Sequence, residues 1–121
     1  MLRLVIDTDA GVDDAQAIMM ALRHPGARVE AITTLTGNCH VDKVIPNVLT
    51  VLDAMDAPPI PVYRGAERPL VADWFPEADF HGKDGLGDDL GGAIQPGKAD
   101  APLSRVQGNG VRRPVGGLFE E

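Results

Sequence analysis

The stretch that decides the fold runs Leu2-Arg3-Leu4-Val5-Ile6-Asp7-Thr8-Asp9-Ala10-Gly11-Val12-Asp13-Asp14-Ala15. Leu2 to Ile6 is a short, mostly apolar run that ends at a carboxylate. Strands of parallel sheets read this way, so the run predicts a strand buried on both faces. Ala15, Ile18, Met19 and Leu22 then recur at i, i+3, i+4 and i+7, which is one face of a helix. Asp13, followed three residues later by Gln16, has the spacing of a capping box, and His24-Pro25-Gly26 stops the helix. A strand feeding a helix through an acidic turn is the opening of an α/β fold.

The next residues repeat the unit. Val29-Glu30-Ala31-Ile32-Thr33-Thr34-Leu35 reads as a second strand, closed by Gly37-Asn38. Val41, Val44, Ile45, Val48, Leu52 and Met55 give a second helical face. Pro46 interrupts it, because a mid-helix proline removes a backbone bond. Either the helix kinks there or its regular part begins near Ile45. Ile60-Pro61-Val62-Tyr63 supplies a third strand. Alternating strands and helices with short connections predict right-handed crossovers and a Rossmann-like, mostly parallel sheet. Three strands are few for such a sheet, so the chain reads as the incomplete opening of a larger domain, with a sheet edge left unpaired. The last forty residues, Gly82 to Glu121, hold ten of the fourteen glycines and no sustained apolar period. We therefore expect the domain portion over 1–90 and an irregular glycine-rich tail over 91–121.

Composition narrows the function classes. The chain has 121 residues, which is one ordinary domain or less. Lys and Arg number 11 against 18 Asp and Glu, a net charge of −7 that repels phosphate backbones and argues against nucleic-acid binding. Cys39 is the single cysteine, so neither an internal disulfide nor a thiolate cluster forms. The opening residues lack the pattern of a secretory signal, and no apolar run approaches the ~20 residues of a membrane span. A cytoplasmic protein without membrane partners is the expectation.

Asp7, Asp9, Asp13 and Asp14 place four carboxylates within eight residues. They sit where strand 1 turns into helix 1, and ligands of open parallel sheets bind just outside the carboxyl ends of the strands. Two carboxylates ~4 Å apart repel by ~4 kcal/mol at an effective dielectric near 20, so the cluster calls for a cation or for raised pKa values. Oxygen ligands favour Ca²⁺ or Mg²⁺. Helix capping accounts for Asp13 alone about as well as function does, but it leaves Asp7 and Asp9 unexplained. An EF-hand starting at Asp7 fails, because Val12 stands where glycine is needed and Ile18 where glutamate is needed. A glycine-rich phosphate loop fails for want of a lysine between Asp7 and Leu22. A haloacid-dehalogenase-type phosphatase also opens with a strand and Asp-x-Asp, but its second aspartate is usually followed by a Gly-Thr or similar pair, not Ala10-Gly11.

The run Val5 to Ala15 resembles the N-terminal signature of the inosine-uridine-preferring nucleoside hydrolases. So do Ala31-Ile32-Thr33-Thr34-Leu35-Thr36-Gly37-Asn38, the Asp42-Lys43-Val44 and Asn47 pattern, and His81-Gly82-Lys83-Asp84-Gly85-Leu86-Gly87. These matches cover roughly residues 2 to 90, in the family's order. Ala10 departs from the proline common at its place, a mild change of loop stiffness. The resemblance implies that Asp9 and Asp14 are carboxylate ligands of Ca²⁺, with Asp9 also the base for the attacking water. It implies that Asp13 bonds a ribose hydroxyl, Asn38 lines the ribose pocket, Asp7 supports the loop from beneath and His81 lies near the pocket mouth. It further implies a small-molecule nucleoside as substrate and a homo-oligomer at full length.

The chemistry agrees with that assignment. Cleavage of an N-glycosidic bond develops positive charge on the sugar, which nearby carboxylates stabilise. Outside the acidic turn, Cys39 reads as a small packing residue, and Trp74, Phe75 and Phe80 as a local hydrophobic patch. Asp9 and Asp14 bring at most four of the six to eight oxygens that Ca²⁺ takes. The reading that follows is an N-ribosyl hydrolase whose short chain is inactive alone. A non-catalytic remnant that binds a cation or ribose is the alternative, and the phosphatase is a third.

Overall fold

A computed structural model describes residues 1–75 and 82–87, together with the backbone of 106–109. In chain order the described elements are β1 (Leu2–Thr8), α1 (Val12–Arg23), β2 (Ala27–Thr34), α2 (Val41–Ala54), β3 (Val62–Arg64) and β4 (Val106–Asn109). The four strands lie side by side in that order, and every pairing is parallel. The expected α/β architecture with a parallel sheet is what the structure shows.

Register explains which residues meet. Ile6 pairs with Ile32 and Ile32 with Val62, so three apolar side chains line up across the sheet. Ile32 and Val62 are fully buried, and Ile6 packs against them. The pairing of β1 with β2 slips after Leu4, which leaves Glu30 as an extra residue between Val29 and Ala31. A bulge of this kind shifts the alternation by one, so Val29 and Ile32 both reach the core although they are three apart.

The helices touch each other as well as the sheet, and so share one face of it. Helix α1 buries Ala15 and Ile18, with Met19 and Leu22 partly covered. Helix α2 buries Val41, Val44, Ile45, Val48, Leu49, Val51 and Leu52. It begins at Val41 and runs through Pro46, which is exposed. Of the two possibilities left by the sequence, a late start near Ile45 is therefore excluded.

Two expectations need correction. Strand β1 is not buried on both faces: Leu2 is 63% exposed and Val5 41%. It is an outer strand of the described sheet, and the helices cover only one face. The glycine-rich tail is not irregular throughout, because Val106–Asn109 forms β4 and pairs with β3 through Val62↔Val106, Tyr63↔Gln107 and Arg64↔Asn109. With one apolar residue in four, that strand has no alternation to read, and backbone pairing alone defines it. The edge of β3 is thus covered from within the chain.

Candidate functional site

Strand β1 ends at Thr8, and the acidic turn is built around that hydroxyl. Thr8 is buried; its Oγ1 donates to Asp14 Oδ1 at 2.8 Å and accepts from the Ala10 amide at 2.9 Å. The Gly11 amide donates to Asp14 Oδ2 at 3.2 Å. Gly11 is the N-cap of α1, so the capping carboxylate comes from Asp14, and the Asp13–Gln16 box expected from spacing is not the one used. Ala10 has φ of 51°, in the left-handed region. That conformation costs an L-residue ~1–2 kcal/mol and is closed to proline, whose φ is fixed near −65°.

Asp9 projects toward the segment after β2. Its Oδ2 accepts from the Asn38 amide at 2.9 Å. Gly37 makes this approach possible, since a Cβ there would sit 2.7 Å from the Asp9 Cβ and would overlap its carboxylate. The segment is held from behind as well. The Trp74 indole donates from Nε1 to the Gly37 carbonyl at 2.6 Å and meets the His40 ring edge-on at 5.9 Å. Trp74 is thus a tether of the Asn38 loop, while its neighbour Phe75 is exposed and Phe80 lies outside the described residues.

Burial pushes the Asp14 carboxyl up. Its bonds from Thr8 and Gly11 pull the other way, and the charges of Asp9 and Asp13 raise it further. The charge of Asp9 is thus felt at Asp14. Among the described residues, no group of three or more His, Cys, Asp or Glu converges as a ready metal cage. The donor set fits a hard, oxygen-seeking cation, and it is a partial set. Of the two Asp9 carboxylate oxygens, Oδ2 is the one engaged by a described residue.

The remaining candidates divide. Asp13 is exposed on the first turn of α1. Asp7 is exposed and accepts from Thr33 Oγ1 at 2.5 Å, a bond between β1 and β2 outside the Thr8–Asp14 network. Asn38 meets Asp9 through its backbone. His81 lies outside the described residues.

Two of the motifs meet each other. Lys43 and Asn47, one turn apart on α2, donate to the carbonyls of Lys83 at 2.7 Å and Asp84 at 2.8 Å. Gly82, Gly85 and Gly87 have φ of 74°, 84° and 89°, which lets residues 82–87 curl over α2 and bury Leu86. A Cβ on Gly85 would lie 2.8 Å from Cys39 Sγ. Burial pushes the Cys39 thiol up, as expected of a packing residue. Sequence reasoning missed this strap, although the i, i+4 spacing of Lys43 and Asn47 was its one available signal.

A profile of the family described as "Inosine-uridine preferring nucleoside hydrolase" matches residues 4–111. The chain belongs to this family. The match extends past residue 90, where the recognisable motifs stop, and takes in β4. Similar proteins include the probable uridine nucleosidase 2 of Oryza sativa subsp. japonica, 44% identical over 86 residues. Another is the pyrimidine-specific ribonucleoside hydrolase RihA of Salmonella schwarzengrund, 42% identical over 85 residues. Each alignment takes 70% of this chain, and it takes 26% of the first and 27% of the second. Among solved structures, an inosine-guanosine nucleoside hydrolase superposes with a TM-score of 0.66 at 46% identity, over 73% of this chain and 27% of that one. This nucleoside hydrolase chain thus spans about a quarter of the length of the relatives it matches. Family membership displaces the phosphatase alternative.

Proposed function

We propose that the protein takes part in hydrolysis of the N-glycosidic bond of ribonucleosides, releasing ribose and free base. The observation that carries this reading is the placement of Asp9 and Asp14 at the strand ends, with Asp9 gripped by the Asn38 amide. Asp9 and Asp14 would hold Ca²⁺. A bound cation of this kind orients water and lowers its pKa. Asp9 takes the proton from the attacking water, and the anionic turn stabilises positive charge as it develops on the sugar. Asp13, exposed at the start of α1, bonds a ribose hydroxyl and Asn38 lines the ribose pocket, while the family motif gives His81 a part in substrate binding. Asp7 supports the loop from beneath by tying β1, which leads into it, to β2. Free nucleosides suit this pocket better than nucleotides, because an added phosphate would meet carboxylates first. The relatives' printed names range from uridine and pyrimidine to inosine-guanosine, so base choice does not follow from membership.

Two carboxylates are too few to fix a cation and a water rigidly, so the complete activity draws on groups beyond these, in a longer or homo-oligomeric form. A cytoplasmic setting is part of the proposal; the structure adds that none of its described helices is long and apolar enough to cross a membrane. The second reading, cation or ribose binding without turnover, is favoured by the partial donor set. One experiment separates the two. Calcium titration by calorimetry is paired with a reducing-sugar assay on inosine, uridine and their monophosphates, for the wild type and for Asp9→Ala and Asp14→Ala. Hydrolysis of nucleosides that both substitutions abolish supports the enzyme. Calcium binding without sugar release supports the second reading. Equal calcium binding by wild type and variants removes the cation site altogether.

A further inference from the structure

The Gly37–Asn38 peptide unit is bonded at both ends. Its carbonyl accepts from Trp74 Nε1 at 2.6 Å, and its N–H donates to Asp9 Oδ2 at 2.9 Å. Hydrogen bonds in series through one peptide polarise each other, each strengthening the next by roughly 10–30%. A donor on the carbonyl makes the amide a better donor to the carboxylate. The indole is itself fixed, since its ring rests against His40, whose Nδ1 accepts the Asp42 amide at the start of α2. Gly37 allows Asp9 close to this peptide, where any side chain would collide with it.

We propose that Trp74 is a positioning residue for Asp9, acting through the Gly37–Asn38 peptide. The inference rests on the reading of Asp9 as the working carboxylate, but the bonded chain can be tested without a cation or substrate. Trp74 sets the direction and strength of the Asn38 N–H bond, and that bond fixes which Asp9 oxygen stays open toward a ligand. Oδ2 is occupied by the loop, and Oδ1 is left to work.

Trp74 is the sole tryptophan of the chain, so it can be changed chemically as well as genetically. The test measures the Asn38 amide proton by NMR in the full chain, in wild type, Trp74→Phe, Asp9→Ala and the double variant. Phenylalanine keeps a ring against His40 and removes only the donor. We expect Trp74→Phe to move the Asn38 resonance upfield and to speed its exchange with solvent. The movement should be smaller when Asp9 is already alanine, because ring-current effects are common to both backgrounds and cancel in the difference. Replacement of Trp74 by 5-fluorotryptophan keeps the shape and makes the N–H more acidic, so the Asn38 resonance should move downfield. That arm decides the matter if Trp74→Phe does not fold. Calcium affinity should fall about tenfold in Trp74→Phe, the usual scale for loss of a supporting bond behind a ligand. An Asn38 amide that ignores both changes, or shifts equally with and without Asp9, overturns the proposal. A coupled Asn38 amide in a chain that binds no calcium would remove the cation site from this chain by itself and leave the positioning role standing.

Discussion

Thr8 and Asp14 are joined by a 2.8 Å hydrogen bond that ties the last residue of β1 to the first turn of α1. The same hydroxyl accepts the Ala10 amide, so one buried side chain satisfies both sides of the turn. Thr8→Val keeps the shape and removes both bonds. Leaving a buried amide and a carboxylate oxygen without a partner costs about 1–3 kcal/mol. The bond from Thr8 also lowers the Asp14 carboxyl, so its loss should move that group further up. Thermal melting and carboxyl NMR check the two effects. An unchanged Asp14 titration in a folded variant would show that the hydroxyl does not hold the turn.

How much of the fold and the site is legible in the sequence follows from where each signal lives. Side-chain periodicity reports burial, so Ile18, Val44, Val48 and Leu52 mark both helices, and Ile32 marks the central strand. Periodicity is silent on backbone pairing, and so Val106–Asn109 reads as tail. It is also silent on which strand lies outermost, and that is why Val5 reads as an interior residue. The acidic turn is legible because four carboxylates cost too much to gather without purpose. Its geometry is not, because the contact from Asn38 to Asp9 is made by a main-chain N–H that every non-proline residue carries. Trp74 gives no signal at all: its indole N–H acts at a position 37 residues away in the chain.

Asp42 and Arg64 set an acid limit on stability. Arg64 bonds Asp42 Oδ1 at 2.7 Å and also Glu67 at 3.0 Å, and this holds the Asp42 carboxyl below its ordinary value near 3.8. A carboxyl lowered in the folded state stabilises the fold above that ordinary value, and the benefit disappears as pH falls through its folded value. Asp42→Asn should therefore match the wild type less well at neutral pH than at strongly acid pH, where the two profiles converge. Asp42 is exposed, so added salt should shrink the difference. Parallel profiles across the whole acid range would mean that the pair does not contribute.

Pro46 stands in the second turn of α2 with no N–H to give to the Asp42 carbonyl four residues back. It is exposed, so its ring contributes little to the core. Pro46→Ala restores the missing bond and a better helix former. We expect a gain of about 1–3 kcal/mol and a rise in Tm of several degrees. Thr50, which donates to the Pro46 carbonyl at 2.8 Å, keeps that acceptor in the variant. No rise in Tm would count against a regular helix through this turn.

The strap over α2 links the reactivity of Cys39 to the two polar side chains that hold the strap's carbonyls, Lys43 and Asn47. Asn47 holds the Asp84 carbonyl and Lys43 the Lys83 carbonyl, and between them they seat Gly85 over Cys39 Sγ. Cys39 is 5% exposed and its thiol is pushed up by burial, so a thiol reagent meets it only when the strap lifts. Each carbonyl bond contributes about 1 kcal/mol, and the lifted fraction follows from their sum. Asn47→Ala should thus raise the rate of Cys39 labelling about fivefold, and the Lys43→Ala, Asn47→Ala double variant further. Hydrogen exchange at Leu86 should rise in step, because its amide, bonded to Asp84 Oδ1 at 2.7 Å, belongs to the same segment. The core beneath α2 is untouched, so Tm should change little against this local effect. Labelling that speeds up only as Tm falls would place the exposure of Cys39 in global unfolding and not in release of the strap.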